Sequence, residues 1–462
     1  MAANRRPNPR GLKRSRPRRP REVAAFVLDR VARDAAFAAA VLDHELRRAA
    51  FSAAQAAWVT EVVYGTLRAL GHIDAAIHAH LHQPGARLDA LLRAVLRCGS
   101  YQLLCMQRVQ VAVVVDESVA YVRRARGARL AALANAVLRR VAAMRPPEPH
   151  SPTTLQLPAW LAAALQDSLS VLRQQALLAL TPHPPPLGLR WCAQGQDAAV
   201  LLQHLQAKQA RLRWRQSAWS DTAYGLLHTG PIQAIEAQAP GCFVVQELGS
   251  QLIGQLTGAQ AGERVLDACA GRGHKTLQLL DAVGRRGSVV AVDYYAEKLQ
   301  HLQAGVATYC GPDAALTCHA LDLSVGVGPL GADFDRILVD APCSGVGTLR
   351  RRPDLLLRLT PEKLTRLCDL QAALLCQLAP LLKPGGELVY ALCSPLKVEG
   401  AAVAARCEAV WRGSFTRLVA PRAVRQGLLH PDADGIWRLG PWLDHPLAAP
   451  DAYQLIAWRR TG

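Results

Sequence analysis

The chain has 462 residues, half of them hydrophobic, enough for about two to four cores at roughly 100–200 residues per domain. Its 54 basic and 36 acidic side chains give a net charge of +18, and 47 of the basic residues are arginine; that excess points to a polyanionic partner such as nucleic acid. No apolar run reaches the roughly 18 residues that a membrane-spanning helix needs, and no apolar stretch follows the basic N-terminus as it would in a secretory signal.

Charge falls off along the chain. Residues 1–21 hold nine Arg or Lys and no acid, residues 22–145 hold sixteen basic and ten acidic side chains, and the rest carries 29 against 26. The first 21 residues, rich in Arg and Pro, have almost nothing to bury and predict a disordered basic tail. Such a tail suits phosphates or solubility, and a charge run alone does not separate the two. From Ala24 to about Arg140, apolar residues recur at helical spacing, as in Val27, Leu28 and Val31, then Val59, Val62, Val63 and Leu67, then Leu91, Leu92, Val95 and Leu96. This predicts an all-helical domain over 22–145. Residues 146–240 read as a linker and a small α/β subdomain, with proline clusters at 146–149 and 182–186, a strand over Leu187–Cys192 and a helix over 197–208.

Residues 241–462 alternate strands and helices. Val265–Asp267 and Ser288–Asp293 read as strands, each ending in an acid, with a helix over Thr276–Asp281 between them. Ile337–Asp340 reads as a third strand, a long helix lies near 361–382, and Gly386–Leu392 is a fourth strand. The alternation predicts a doubly wound, mostly parallel sheet, whose ligands bind beyond the carboxyl ends of the strands. Asp267, Asp293, Asp340 and Cys393 fall at or just past such ends.

Four stretches carry chemistry. The turn Asp267-Ala-Cys-Ala-Gly-Arg-Gly-His-Lys-Thr276 brings backbone N–H groups near a ligand, although a tight α/β turn needs no ligand. Asp293 suits the ribose of a nucleoside cofactor, and equally a helix cap. Asp340-Ala-Pro-Cys343-Ser-Gly-Val-Gly-Thr-Leu-Arg-Arg-Arg352 combines an acid, a thiol and a run, Arg350, Arg351 and Arg352, able to meet phosphates. Cys393 is a second strand-end thiol, with Glu399 six residues on. Two thiols at two strand ends beside an Asp point to nucleophilic catalysis. The twelve cysteines contain no CxxC pair, which argues against a zinc site and, with their scatter, against a disulfide framework. A reducing, cytoplasmic setting and no metal are therefore expected.

On these motifs, residues 240–460 resemble the RNA cytosine-C5 methyltransferases of the NOP/Sun group, through DAPCSGVGTLRRRPD at 340–354, LVYALCS at 388–394, VVAVD at 289–293 and VLDACAGRGHKT at 265–276. Residues 22–145 resemble a NusB-like RNA-binding domain, through VTEVVYGTLR at 59–68, GSYQLL at 99–104 and NAVLRR at 135–140. The resemblance implies a Rossmann-like class I methyltransferase domain behind an all-α NusB-like domain. It implies S-adenosylmethionine as cofactor and RNA, most of all 16S ribosomal RNA, as partner to a monomer. By the family pattern Cys393 attacks carbon 6 of cytosine, Cys343 assists product release, and Asp340 hydrogen-bonds the base. Cys269, Ala270, Gly271, Arg272, Gly273, His274 and Lys275 would cradle the cofactor's methionine part, Asp293 its ribose and Asp322 its adenine, with Asp340 at the same pocket.

Chemistry alone leaves the nucleophile open, because Pro-Cys is also the nucleophile dipeptide of DNA cytosine-C5 methyltransferases. The chain also departs from the family pattern. Arg272 stands for Pro, His274 for Gly, Leu392 for Thr, Gly400 for Asn, Gln55-Ala56 for Asp-Arg, and Asp451-Ala-Tyr-Gln454 for Asp-Gly-Phe-Phe. Alternatives are the same chemistry on transfer RNA, and a non-catalytic RNA-binding or ribosome-assembly factor with a decayed cofactor site. An antitermination factor would leave residues 240–460 without a purpose.

Overall fold

A computed structural model describes residues 19–81, 87–144, 155–192, 197–209, 211–230, 232–311, 314–420, 422–424 and 427–462. The expected disordered tail therefore lies, as far as residue 18, outside the described residues. Its last members do not continue it. Pro20 opens the first helix, where its fixed φ and missing N–H suit position N1. Arg21 lies over the Trp58 ring and donates to Gln102 and Glu117. The described chain forms two compact units, 1–156 and 157–462.

The first unit is helical: α1 (Pro20–Asp34), α2 (Ala38–Ala49), α3 (Ala53–Arg68), α4 (Leu70–His78), α5 (Ala90–Cys105), α6 (Val111–Arg126) and α7 (Ala128–Ala143). The apolar stripes read from the sequence close on one another: Val23, Val27, Val59, Val62, Leu92, Leu96, Val114 and Leu138 are all buried. Two glycines of the resembling motifs permit this. A Cβ on Gly65 would lie 2.0 Å from the Tyr101 ring, and one on Gly99 would lie 2.8 Å from Leu138. Gln55, where the family pattern has Asp, completes a capping box with Ser52 at the start of α3.

The second unit begins with α8 (Ala159–Ser168) and α9 (Val171–Leu180). A small antiparallel sheet follows, built from β1 (Leu187–Trp191), β2 (Arg213–Gln216), β3 (Ala223–Leu227) and β4 (Phe243–Val245) in the order β2-β3-β1-β4, with α10 (Ala198–Lys208) and α11 (Ile232–Glu236) between strands. The small sheet thus keeps the chain until Val245. α12 (Leu248–Leu256) leads into the large sheet.

That sheet alternates as the sequence predicts: β5 (Arg264–Asp267), α13 (His274–Val283), β6 (Ser288–Asp293), α14 (Ala296–Tyr309), β7 (Leu316–Ala320) and β8 (Phe334–Asp340). Next come α15 (Leu355–Arg358), α16 (Pro361–Leu378), β9 (Leu382–Leu392) and α17 (Ala401–Trp411). The long helix ends at Leu378 and not near 382, because residues from Leu382 already pair with β8. The short strands β10 (Phe415–Arg417), β11 (Arg422–Val424), β12 (Gly427–Leu429) and β13 (Trp437–Leu439) precede β14 (Tyr453–Arg460).

The strand order is β10-β14-β9-β8-β5-β6-β7, with β13 beside β14. Strands β5 to β9 run parallel; β14 is antiparallel to β9. Successive residues such as Ile337, Leu338 and Val339 are all 0 % exposed, so both faces of these strands are covered, as in a doubly wound sheet. The chain winds outward in two directions from β5 and β8. This is the switch point at which such sheets bind ligands. Among the described residues no helix is long and apolar enough to cross a membrane, and no cluster of His, Cys, Asp and Glu side chains could hold a metal ion.

Candidate active site

The turn after β5 forms one half of the site. Gly271 and Gly273 both take positive φ, +58° and +86°. A Cβ on Gly273 would lie 2.2 Å from Leu302 of α14, so only glycine lets that helix pack on the turn. A Cβ on Gly271 would meet nothing within 4 Å. Gly271 N–H donates to Asp293 Oδ2 at 3.0 Å, and Asp293 Oδ1 accepts from Tyr295 N–H and from Lys298. The Asp293 carboxylate thus stiffens the turn as well as ending β6. Asp322 lies exposed beyond β7 and accepts from Ser324 N–H at 2.9 Å; the Ser324 hydroxyl and amide hold its carboxyl below the usual range. Asp293 and Asp322 therefore stand at neighbouring strand ends.

Asp267 is 1 % exposed. Its Oδ2 accepts from Thr276 Oγ1 at 2.7 Å, and its Oδ1 is buried without a hydrogen-bond partner. Burial pushes this carboxyl up to about 6 despite the Thr276 bond. Burial likewise pushes the half-buried Cys269 thiol up, so it stays protonated. His274, on the first turn of α13, is pushed down to about 4 by burial and by its cationic neighbours Lys275 and Arg272, and is neutral at physiological pH. Arg272 points to solvent.

The other half comes from β8 and β9. Asp340 and Ala391 are register partners at the ends of these strands, so the loops leaving them are adjacent. Cys343 Sγ and Cys393 Sγ stand 3.1 Å apart. The neighbouring Cys393 sulfur, then burial, then Glu399 and Asp340 push the Cys343 thiol well above its ordinary value. Lys275 Nζ meets Asp340 Oδ2 at 2.7 Å and lies in the field of Cys393. Gly347 closes the arrangement: its N–H donates to Cys393 O at 3.0 Å, and a Cβ there would stand 1.8 Å from Ala452 O.

The structure thus gathers Asp340, Cys343, Cys393 and Lys275 beside the 269–275 turn. It does not give the arginine run the setting expected of phosphate ligands. Arg350 is buried and donates to the carbonyls of His183 and Pro184. Arg351 donates to Pro186 O and to Asp451 Oδ2 at 2.7 Å. These two guanidiniums clamp the proline-rich connector and the approach to β14, since the carbonyls of a proline segment have few N–H partners of their own. Arg352 stays partly exposed.

Sequence reasoning missed the orphan Asp267 oxygen, which burial alone creates. It also missed the partners of Glu399. This carboxylate is 0 % exposed and accepts from Ser344 N–H, Ser344 Oγ, Ser394 Oγ and Gln371 Nε2. The repeated Cys-Ser dipeptide at 343–344 and 393–394 was its signal.

Residues 255–409 match the model of the 16S rRNA methyltransferase RsmB/F family, and residues 18–143 match that of the NusB family. The ribosomal RNA small subunit methyltransferase B of Pseudomonas syringae pv. tomato is 32% identical over 352 residues, which cover 73% of this chain and 75% of that one. A probable ribosomal RNA small subunit methyltransferase B of Synechocystis sp. is 30% identical over 354 residues, covering 72% and 76%. The crystal structure of PH0851 superposes with a TM-score of 0.75 at 18% identity, over 96% of this chain and 99% of that one. With two matched domains in this order and relatives aligned along most of their length, the chain belongs to the 16S rRNA methyltransferase RsmB/F family.

Proposed function

We propose that the chain forms 5-methylcytosine in 16S ribosomal RNA, with S-adenosylmethionine as methyl donor and Cys393 as covalent nucleophile. The observation that carries this reading is the pair of thiols 3.1 Å apart at adjacent strand ends, beside a lysine–aspartate ion pair.

The residues of the turn suit the cofactor. The partnerless Asp267 Oδ1 can accept from an ammonium group, the open backbone of Gly271 leaves room for close approach, and Asp293 and Asp322 offer carboxylates at successive strand ends. The 269–275 turn, Asp293 and Asp322 would hold it. When bound, it supplies an electrophilic methyl group on a sulfonium.

Carbon 5 of cytosine is a poor nucleophile until carbon 6 is attacked. By the family resemblance it is Cys393, whose sulfur lies in the field of the Lys275 ammonium, that adds to carbon 6 as thiolate. Asp340 would hydrogen-bond the ring near N3 and stabilise the adduct. Once carbon 5 has been methylated, a base takes its proton, the carbon–sulfur bond breaks to return the Cys393 thiolate, and Cys343 assists release. Arg352 is the member of the arginine run kept as a phosphate contact.

Bisulfite sequencing of ribosomal and transfer RNA, with and without the gene, tests the target. Loss of one protected cytosine in 16S RNA is expected; loss in transfer RNA would move the substrate, and no loss would sink the reading. A covalent RNA complex should vanish in Cys393→Ala and persist or accumulate in Cys343→Ala. The reverse would exchange their roles.

A further inference from the structure

Glu399 sits outside the ring of groups that would touch the base or the cofactor. It is nonetheless fully buried, and a buried carboxylate is costly unless each oxygen is well supplied with donors. Here both are. Oε1 accepts from Ser344 N–H at 2.7 Å and from Gln371 Nε2 at 3.2 Å; Oε2 accepts from Ser344 Oγ at 2.6 Å and from Ser394 Oγ at 2.5 Å. Ser344 follows Cys343, and Ser394 follows Cys393. The two serine hydroxyls also meet each other at 3.1 Å. One side chain therefore fastens the residue after each thiol. Gln371 adds a third tie, to Pro342 O on the residue before Cys343, at 2.9 Å. Tyr390 Oη, bonded to both Gln371 Oε1 and Glu399 O, holds the pair in place from β9.

Resting on the two-thiol reading above, we propose that Glu399 is the positioning residue that holds Cys343 and Cys393 in register, acting through the serine that follows each. A loop end that relies on backbone pairing alone can shift by an ångström, and a shift of that size costs about 10²-fold in rate. The carboxylate supplies charge-assisted hydrogen bonds, the stronger kind, to both loops at once. Its charge also adds to the burial, to Asp340 and to Cys393 in keeping the Cys343 proton in place. The groups facing the carboxylate are Ser344, Ser394 and Gln371 and, through its field, Tyr390, Cys343 and Cys368.

The register can be read without RNA. Diamide oxidises a dithiol to a disulfide, its azo group taking up the two hydrogens, and the rate reports how well two sulfurs are held together. A second pair, Cys376 and Cys407, stands at 3.9 Å on α16 and α17 and serves as an internal reference. The full-length, reduced protein is treated with diamide and both disulfides are followed by peptide mass spectrometry. In Ser394→Ala and, separately, Ser344→Ala, each of which keeps the Glu399 charge, closure of Cys343–Cys393 should slow at least about tenfold, since disulfide geometry is exacting, while Cys376–Cys407 keeps its wild-type rate. Equal Cys343–Cys393 rates in wild type and both variants would overturn the proposal. So would a matching change in both pairs, which would make Glu399 a general support of the domain. With RNA, the same variants should lose kcat and keep KM. If wild type methylates no cytosine but the closure result stands, the functional reading fails and the positioning role survives.

Discussion

Lys275, on the first turn of α13, and Asp340, at the end of β8, form a 2.7 Å ion pair that ties the turn after β5 to the loop carrying Cys343. The lysine side chain is 11% exposed and the aspartate 27%. Burial alone would lower the ammonium, but Asp340 outweighs it, aided by Asp267 and Cys393, and holds Lys275 above its ordinary 10.5. A lysine raised on folding stabilises the native state at every pH below its unfolded value; that contribution is lost only as pH rises through the folded one. Lys275→Met should therefore destabilise by about 2 kcal/mol at neutral pH, the buried-pair cost reduced by the exposure of Asp340. Methyl transfer should fall about 10²-fold. Urea unfolding and single-turnover kinetics check both, and Lys275→Met with Asp340→Asn should regain part of the stability but none of the rate.

Asp267 and His274 make opposite demands on pH. The Asp267 carboxyl rises on folding from 3.8 to about 6, so between those values the native state holds the extra proton and stability increases as pH falls. The His274 imidazole drops from 6.5 to about 4, so over nearly the same window the unfolded state holds the extra proton and stability decreases as pH falls. The two offset each other in the wild type. Asp267→Asn should make the ligand-free protein more stable by about 2–3 kcal/mol at pH 7, make it lose stability more steeply from pH 6.5 to 4, and weaken cofactor binding. His274→Gln should show the opposite pH slope. Denaturant titrations at four pH values and calorimetry with S-adenosylmethionine separate these outcomes.

Arg350 and Arg351 of the arginine run are committed to partners within the protein. Asp451 is 5% exposed, and burial pushes its carboxyl up to about 7 against the pull of Arg351. Arg351→Ala strands that carboxyl and should cost about 2–4 kcal/mol of stability, with no change in the salt dependence of RNA binding. Arg352→Ala should flatten the log–log salt slope by about 1. Filter binding from low to moderate salt distinguishes a clamp from a phosphate contact.

Two departures from the family pattern meet in space. A Cβ on Gly400 would lie 2.0 Å from Gln454 Oε1, and the Gln454 amide donates to Ser394 O and Leu396 O at 2.7 and 2.9 Å. Gln454, the residue in place of the second Phe, thus occupies the room that the family's Asn at position 400 would need. Gly400→Asn should destabilise by about 1–3 kcal/mol through overpacking. Gly400→Asn with Gln454→Phe should cost less than the sum of the single changes, a coupling that a double-mutant cycle measures.

What could be read in the sequence was periodic or local. The apolar runs of β5, β6, β8 and β9 and the acids at their ends declared the parallel sheet and its ligand edge, because a strand buried on both faces has few residue types to choose from. The helical stripes of the first unit were legible for the same reason. Arg350 and Arg351 misled because charge runs read as surface; what they meet are carbonyls at 183–186 and the carboxylate at 451, distant in sequence. Glu399 was visible as a residue and silent as a partner, since its donors lie on two separate loops. The end of α16 was displaced because pairing with β8 claims Leu382 before the helix can use it.

Strand β14 lies between β9 and β10, with Trp458 at 0% exposure against Tyr390 and Trp411, and the carbonyl of Ala452 just before it crowds Gly347 in the Cys343 loop. The helical unit is made of neighbours in sequence and can fold as it leaves the ribosome. The catalytic sheet has to wait, with β9 lacking its antiparallel neighbour and Cys393 its surroundings, until residues 453–460 have been synthesised. A nascent chain can therefore present a folded helical unit well before its large sheet is complete, and translation itself sets the moment at which the paired thiols are assembled.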